Sequence, residues 1–591
     1  MNIRTPKTSG KSSTFILKLL MPVIAAAALL TGCEDKNDSN GTGATGAGGN
    51  SSVAITKVAD KPPANGPGTF TFINRGDLIT LDLNQMSYLQ DFRITYGIRE
   101  GLYTYDVRDM SPVPSLASET KISDDKKTWT FKLRPDAKWS NGDPLVAADF
   151  VFSWLLLLES PGEYTSLLYY IKNAEAYEKS YREQDGKVKS QDVGVRAIDN
   201  QTVEISLNNP VPFLPDLMAF PTFYPRHARS MEPFKSADAK GRVSYDAKYT
   251  KPENVVTNGP FTLSEWIAGR QIVLTACPNY WDAANVKSKK VIMVVNNDPQ
   301  SAFQQYEQGT VDWLADVSAD VSAELKSINR SDLRSTPAYG TAFLTFNTAP
   351  TVDSKLGAGV KNPLSDVRVR RALAMTVEKQ YIVDQITRMG EKVAGSYIPP
   401  GFFKGFSSTP TPEYDVEGAR KLLAEAGYAG GQGFPKLTFA YNSDNPTRKA
   451  FAEFLSQGWR ENLGITVDLE PLELKTYRTR VTDKNYTIAA VAWYGDYMDL
   501  STWTDKYLST SQNNDTNWAP PEYDALLKLA EQESDEQKRS DLLQKAEAMI
   551  NTELPILPLY HYVNVTLYRD NVDGITPNAK LIVLPKFVSV K

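Results

Sequence analysis

Alternating apolar and polar residues mark three segments in the first 210 residues of the chain. Strict alternation places every second side chain on one face, as in a half-buried β-strand. A longer apolar run at residues 147–158 predicts a buried helix, and two short apolar runs predict buried strands. The predicted strands are residues 69–73, 129–133, 201–207, 272–274 and 291–295.

Helical spacing follows in the next part of the chain. Ser365 or Asp366 can cap a helix that is predicted to run to Met389, with Gly390 after its end. An apolar residue recurs there every four positions and predicts one buried face: Val369, Leu373, Val377 and Tyr381.

A strand–helix–strand pattern comes after a second helix, which Asp415 caps and which ends at Gly427. Two apolar strands joined by a helix form a βαβ unit, whose strands lie parallel in one sheet. The parts of this unit are residues 437–441, 447–463 and 465–469, and another apolar strand is predicted at residues 488–493. The body is therefore predicted to be α/β or mixed α+β.

Length and charge limit the class of protein. A chain of 591 residues exceeds what one hydrophobic core organises, so we expect two or three lobes. Hydrophobic residues make up 41% and charged residues 23%, which is ordinary for a globular protein. The net charge of −5 shows no basic surplus, and no nucleic-acid partner is expected.

Cysteine and histidine are scarce, and this argues against several chemistries. The chain has two cysteines, Cys33 and Cys277, and two histidines, His227 and His561. It can form at most one disulfide, and a zinc site of His and Cys is not expected. Neither histidine lies in a catalytic motif, so we expect no enzyme activity, metal or cofactor.

The first 32 residues have the pattern of a signal peptide. Arg4 and several lysines precede an apolar stretch from Leu19 to Leu30, which is too short to span a bilayer comfortably. The stretch ends in Leu30-Thr31-Gly32-Cys33, which resembles a bacterial lipobox and predicts lipidation of Cys33. The alternative is an ordinary signal peptide that contains a cysteine. Residues 33–66 are rich in Gly, Ser, Thr and Asn and predict a flexible tether.

Five stretches, in matching order and spacing, carry a resemblance to a known family. The chain resembles the family 5 extracellular solute-binding proteins of ABC importers, most closely the oligopeptide-binding members, from about Gly68 to Leu581. The stretches are Trp129–Arg134 continuing to Val151, Thr257–Phe261, Pro278–Asp282, Asp366–Leu373 and Ala492–Tyr497.

The resemblance implies a periplasmic-binding-protein type II-like α/β fold, with two large hinged lobes and an inserted third lobe. Ligands of such proteins are trapped between the lobes. The implied boundaries are lobe I at residues 67–100, 212–342 and 563–591, lobe II at 101–211 and lobe III at 343–562.

The resemblance also implies a ligand site, with Asp496 pairing with the α-ammonium of a bound peptide. A buried ammonium requires an anionic partner because its desolvation is costly. From local sequence alone, Gly495-Asp496 is equally well a turn after a strand. The other implied ligand residues line the cleft or pair with the peptide backbone: Trp493, Ala492, Tyr494, Gly340 and Phe343. For Trp493, core packing is the alternative.

The chain departs from the family at the ligand's carboxylate end. Some members carry an arginine on the strand before the tryptophan and a histidine in the βαβ loop, where this chain has Ala490 and Thr447. Three nearby arginines are candidate carboxylate partners, although surface ion pairing is the simpler interpretation of each: Arg448, Arg478 and Arg480.

The resemblance therefore implies a lipid-anchored, monomeric binding protein of the cell envelope that delivers short peptides to an ABC importer. The alternatives within the family are a dipeptide, a muropeptide, a nickel complex or an oligosaccharide as ligand. A secreted hydrolase and a surface protein without a ligand are the contrasting classes. No G-x-S-x-G, H-E-x-x-H or Walker A motif supports the hydrolase.

Overall fold

The computed structural model of the protein describes residues 64–444 and 446–591. The predicted signal peptide, Cys33 and nearly all of the predicted tether lie outside these residues. Within the two described ranges, no helix is both long enough and apolar enough to cross a membrane.

The strands include every segment predicted from alternation, each within a few residues of its predicted bounds, and many more strands that were not predicted. In chain order they are β1 Thr69–Asn74, β2 Tyr103–Tyr105, β3 Pro112–Pro114, β4 Ala117–Ile122, β5 Thr128–Leu133, β6 Val195–Asp199, β7 Thr202–Ser206, β8 Lys235–Ala237, β9 Val243–Tyr245, β10 Phe261–Ile267, β11 Gln271–Ala276, β12 Lys290–Val295, β13 Trp313–Leu314, β14 Leu333–Phe346, β15 Lys392–Val393, β16 Leu437–Asn442, β17 Val467–Leu472, β18 Ile488–Tyr494, β19 Ile556–Tyr568, β20 Val572–Asp573 and β21 Ser589–Val590.

The α-helices include the predicted apolar helix and the helix of the βαβ unit. In chain order they are α1 Leu89–Ile98, α2 Ala147–Glu159, α3 Ala174–Glu183, α4 Leu214–Ala219, α5 Ala228–Met231, α6 Pro299–Gln308, α7 Ala319–Ser327, α8 Asp353–Leu356, α9 Val367–Ala374, α10 Lys379–Tyr381, α11 Val416–Glu425, α12 Pro446–Leu463, α13 Leu474–Thr482, α14 Ser501–Thr504, α15 Pro521–Gln532 and α16 Glu536–Glu553.

One mixed sheet organises most of the described chain. Its strand order is β10-β11-β12-β1-β13-β19-β14-β18-β16-β17, and β15 also pairs with β19. β16 and β17 lie parallel with α12 between them in sequence, which confirms the predicted βαβ unit. A separate antiparallel sheet has the order β4-β5-β7-β6.

Two long strands connect the two ends of the mixed sheet. β14 pairs with β19 from Leu333 to Pro337 and again from Thr341 to Thr345, with an irregular register between. Two of the predicted lobe boundaries, at residues 342/343 and 562/563, fall inside these strands. The chain therefore passes between the predicted lobes in extended backbone, while the boundaries themselves stay a prediction.

The single long helix predicted from residue 366 to 389 is wrong. Asp366 does cap a helix, but α9 ends at Ala374, and a π-helix occupies Ile382–Thr387 after α10. The Thr376 hydroxyl donates to the carbonyl of Leu373, and the carbonyl of Met375 accepts from the backbone N–H of Asp415. These contacts replace helical hydrogen bonds and interrupt the helix.

Candidate functional site

The site lies at the carboxyl end of β18, where one edge of the strand pairs with no other strand that the structure describes. β18 pairs with β14 along its whole length, from Ile488 to Tyr494. Its other edge pairs with β16 only at Ile488 and Ala489. From Ala490 onwards, no described strand pairs with that edge. Unpaired backbone N–H and C=O groups can add an extended chain as a further strand.

Two glycines allow aromatic rings to cross this end of the sheet. A Cβ on Gly340 would lie 2.5 Å from the Tyr494 ring, and a Cβ on Gly495 would lie 1.9 Å from Cε1 of Tyr339. Real Cβ atoms do not approach other atoms so closely. Both positions therefore require glycine if Tyr339 and Tyr494 are to keep their places.

The Tyr339 ring anchors the site to an aromatic core. The ring is 1% exposed, and its centroid lies 5.0 Å from that of Phe402 and 5.2 Å from that of Trp503. Its hydroxyl donates to the carbonyl of Asp499 at 3.3 Å. Edge-on aromatic pairs of this kind stabilise the fold by more than the burial of their surface alone. The aromatic wall that Tyr339 forms beneath the site is therefore held in place.

Asp496 and Lys580 are the charged residues of a small cavity next to this wall. The cavity has a volume of about 110 Å³. Its other lining residues are mostly aromatic: Leu89, Phe92, Tyr96, Tyr105, Phe220, Tyr339, Tyr494, Gly495, Ala579 and Ile582. The backbone N–H of Asp496 donates to Thr502 Oγ1 at 3.0 Å, which fixes the residue after the strand.

The carboxylate of Asp496 has no hydrogen-bond or ion-pair partner among the described residues. Burial raises the pKa of this carboxylate to about 7. The positive charge of Lys580 acts to lower the pKa, and the negative charge of Glu163 acts to raise it further. A carboxylate that lacks a partner in a partly buried site favours its neutral form. An incoming cation would supply the missing partner.

Lys580 does not meet this need, because its charge is already neutralised elsewhere. Its Nζ lies 3.3 Å from both carboxylate oxygens of Asp216 and donates to the backbone carbonyl of Asp496 at 3.4 Å. Asp216 also accepts from the backbone N–H of Met498. The sequence analysis did not identify Lys580 or Asp216, and no local motif marks either residue.

The other predicted ligand residues take different positions. Ala492 lies opposite Ala342 in the β14–β18 ladder, while Phe343 is fully buried against Tyr397. Trp493 does not line the cavity; its indole Nε1 donates to the carbonyl of Thr502 at 2.9 Å. Successive side chains alternate across a strand, so Trp493 points away from the face that carries Ala492 and Tyr494.

The three candidate arginines differ in their partners. Arg480 pairs with Glu470 at 2.8 Å. Arg478 is exposed, and its Nη1 donates to the Tyr88 hydroxyl at 3.1 Å. Arg448 donates from Nη2 to the Tyr562 hydroxyl at 3.3 Å and forms no ion pair within the described ranges.

One known protein family matches most of the chain. Residues 111–515 match the family described as bacterial extracellular solute-binding proteins, family 5 middle. The chain belongs to this family. The match covers more than half of the chain and confirms the resemblance found in the sequence.

Individual relatives within family 5 span most of the chain. The oligopeptide-binding protein OppA of Bacillus subtilis is 32% identical over 79% of this chain and 83% of its own length. The structure of the murein tripeptide binding protein MppA of Escherichia coli has a TM-score of 0.73 and 28% identity, and covers 88% of this chain and 98% of that one. OppA of Haemophilus influenzae, solved in complex with the peptide RPPGFSPFR, has a TM-score of 0.72 and 26% identity over 89% of this chain and 99% of its own. The predicted fold class is therefore confirmed.

Proposed function

We propose that the chain is an extracytoplasmic binding protein that captures short peptides and delivers them to an ABC importer. Asp496 receives the α-ammonium of the peptide, and the free edge of β18 pairs with its backbone. The observation that carries this proposal is the Asp496 carboxylate, which lies in a mostly aromatic cavity and has no partner within residues 64–444 and 446–591. Family membership and peptide-binding relatives support it.

The remaining parts of the proposal concern location and assembly. The protein is held at the cell envelope by a lipid on Cys33, works as a monomer and catalyses no reaction. The names of two relatives, the periplasmic OppA of Salmonella typhimurium and that of Escherichia coli, support an extracytoplasmic location. Labelling cells with radioactive palmitate tests the lipid anchor. The wild-type protein is expected to incorporate the label, and Cys33→Ala is expected to lose it.

A free amine on the ligand is the first requirement to test. We expect a randomised library of two- to five-residue peptides to raise the melting temperature of the protein, and the N-acetylated library to leave it unchanged. Saturation at 100 times Kd stabilises a protein by about 2.7 kcal/mol, enough to detect by thermal unfolding.

Further measurements with the same peptide library distinguish the competing functions. Mass spectrometry of the retained molecules identifies muropeptides or dipeptides if these are preferred. Turnover of peptides or chitooligosaccharides would indicate a hydrolase. Equal stabilisation by the acetylated library would contradict the role of Asp496, and no stabilisation by any peptide would contradict peptide binding.

Peptide affinity is expected to fall as the pH drops below about 7. Burial raises the pKa of Asp496 to about 7 in the unliganded site, and only its ionised form pairs with an ammonium. Below this pKa the protein must release a proton to bind, so Kd rises by up to about tenfold per pH unit. The α-amino group of the peptide stays charged over this range because its pKa is about 8.

Isothermal titration calorimetry between pH 5 and 8 measures this dependence. Repeating the titration in buffers of different ionisation enthalpy counts the protons, and release of up to one proton per peptide is expected near pH 6. A pH-independent Kd with no proton release would show that Asp496 is already ionised in the free protein.

A further inference from the structure

A groove of about 420 Å³ lies between the β4–β5 hairpin and the loop that joins α15 to α16. Two hydrogen bonds connect its two sides. Lys126 Nζ donates to the carbonyl of Ser534 at 3.0 Å. Asn209 Nδ2 donates to Glu531 Oε1 at 2.9 Å. These residues belong to the segments predicted as lobes II and III, so the groove is complete only while those two segments are in contact.

The groove has the size of a site for a small organic molecule and is separate from the cavity of Asp496. Ligand sites in proteins commonly enclose about 300–1,000 Å³. The groove and the cavity of Asp496 share no lining residue. A molecule in the groove would therefore leave the proposed peptide site unoccupied.

One wall of the groove is apolar. Ile122 and Trp129 lie opposite each other on β4 and β5, and Ile122 is 48% exposed, although isoleucine is usually buried. Three residues of the following segment continue this wall: Pro210, Val211 and Pro212. A flat apolar molecule placed against the wall would remove its surface from water, which is favourable.

The charges along the groove leave a negative surplus. Three carboxylates line it, and none of them forms an ion pair with a described residue: Asp124, Glu533 and Glu536. The groove has two cations, Lys126 and Arg539. Asp499 balances the charge of Arg539 at 2.7 Å, which leaves Lys126 alone to offset three carboxylates. A positively charged molecule therefore suits the groove better than a neutral or a negative one.

Arg539 connects the groove to the turn that carries Asp496. Its guanidinium donates to both carboxylate oxygens of Asp499, at 2.7 and 2.8 Å, and Asp499 follows Asp496 by three residues. The carbonyl of Asp499 also accepts from the hydroxyl of Tyr339, which lines the cavity of Asp496. Contacts made to Arg539 in the groove can thus act on the position of Asp496.

We propose that the groove binds a small aromatic amine and that its occupant strengthens peptide binding at Asp496. The aromatic body covers Ile122 and Trp129, and the ammonium offsets the surplus of carboxylates. An occupant that contacts both sides of the groove stabilises the state in which they meet, and a second ligand that prefers this state then binds more tightly. The strengthening rests on the proposed function, because it assumes that a peptide at Asp496 favours the closed lobes.

The first test measures binding to the groove without any peptide. The probes are tryptamine and tryptophol, which share an indole body and differ in an ammonium or a hydroxyl group. Calorimetric titration is expected to show one bound tryptamine per protein, held about three- to fivefold more tightly than tryptophol, the usual size of an exposed charge interaction. Asp496→Asn is expected to bind both probes as the wild-type protein does.

Variants of the groove show where the probes bind. Ser534 is exposed in the loop, so Ser534→Trp fills the groove without touching a core and is expected to abolish binding of both probes. Ser327→Trp, at an exposed position on α7 outside the groove, keeps binding. Glu533→Gln combined with Glu536→Gln is expected to bind tryptamine and tryptophol equally. Circular dichroism and thermal unfolding establish that each variant is folded.

The second test measures the effect of the groove on peptide affinity. Saturating tryptamine is expected to lower the Kd of a library peptide about fivefold in the wild-type protein and to leave it unchanged in Ser534→Trp. If tryptamine weakens peptide binding in both proteins, it competes at Asp496 and the strengthening is overturned, as it is by an unchanged Kd in both.

The two tests separate this proposal from the proposed function. No binding of tryptamine to the wild-type protein overturns the groove as a site, and so does binding that Asp496→Asn loses or Ser534→Trp keeps. Each of these results leaves peptide capture intact, because no peptide is present in the first test. Binding of no library peptide contradicts the proposed function and with it the strengthening, while the titration of the groove still stands.

Discussion

Asp496→Asn is expected to weaken peptide binding by about a hundredfold. The substitution removes the charge that balances a buried ammonium but keeps the size of the side chain. Loss of one partner from a buried charge pair costs 2–5 kcal/mol, and 2.8 kcal/mol corresponds to a hundredfold in Kd. Calorimetric titration with a peptide identified from the library measures the change.

The unliganded fold should not suffer from this substitution. Burial raises the pKa of Asp496 to about 7, above its unfolded value of about 4, so ionisation of this group opposes folding. That penalty is absent below pH 4 and grows as the pH rises to 7. Asp496→Asn is therefore expected to leave thermal stability unchanged at pH 4 and to raise it at pH 8.

A surface carboxylate provides the control for this experiment. Asp541 is exposed on α16, and Asp541→Asn is expected to change neither affinity nor the pH dependence of stability. If Asp496→Asn binds peptide as well as the wild-type protein does, Asp496 is not the ammonium partner. If it unfolds instead, the carboxylate has a structural role that its lack of partners does not reveal.

Local patterns in the sequence predicted several of the strands, including β18, whereas the role of Asp496 after β18 comes from the family resemblance and stays a prediction. β18 and the Gly495-Asp496 turn are contiguous, so an apolar run followed by a motif suffices to find them. The helix after Asp366 was predicted too long, because its interruption depends on a contact between Met375 and Asp415 that spacing cannot show.

The charged surroundings of Asp496 could not be predicted in the same way. Lys580 and Asp216 lie 364 residues apart in sequence and meet only in the folded chain. Their ion pair explains why Lys580 forms no ion pair with the Asp496 carboxylate. Similarly, three arginines were equal candidates in sequence, and only their partners in the structure distinguish Arg448 from Arg478 and Arg480.

Gly495→Ala is expected to damage both stability and binding, although it adds a single methyl group. The new Cβ would lie 1.9 Å from Cε1 of Tyr339 and within 2.6 Å of two other atoms of that ring, which is itself held by Trp503 and Phe402. Overpacking of this kind lowers the free energy of unfolding by about 1–3 kcal/mol. Either the ring or the Gly495–Asp496 backbone must move, and a loss of about 1.4 kcal/mol in binding makes Kd tenfold weaker.

Gly458→Ala separates this steric effect from a general effect of replacing glycine. Gly458 lies inside α12, and a Cβ there would meet nothing closer than 4.0 Å. Alanine is the better helix former, so this variant is expected to gain about 0.5–1 kcal/mol in stability and to bind peptide normally. Denaturant unfolding and calorimetry on both variants make the comparison. Normal affinity in Gly495→Ala would mean that the β18 terminus tolerates displacement, and that Asp496 is positioned by Thr502 rather than by the close contact with Tyr339.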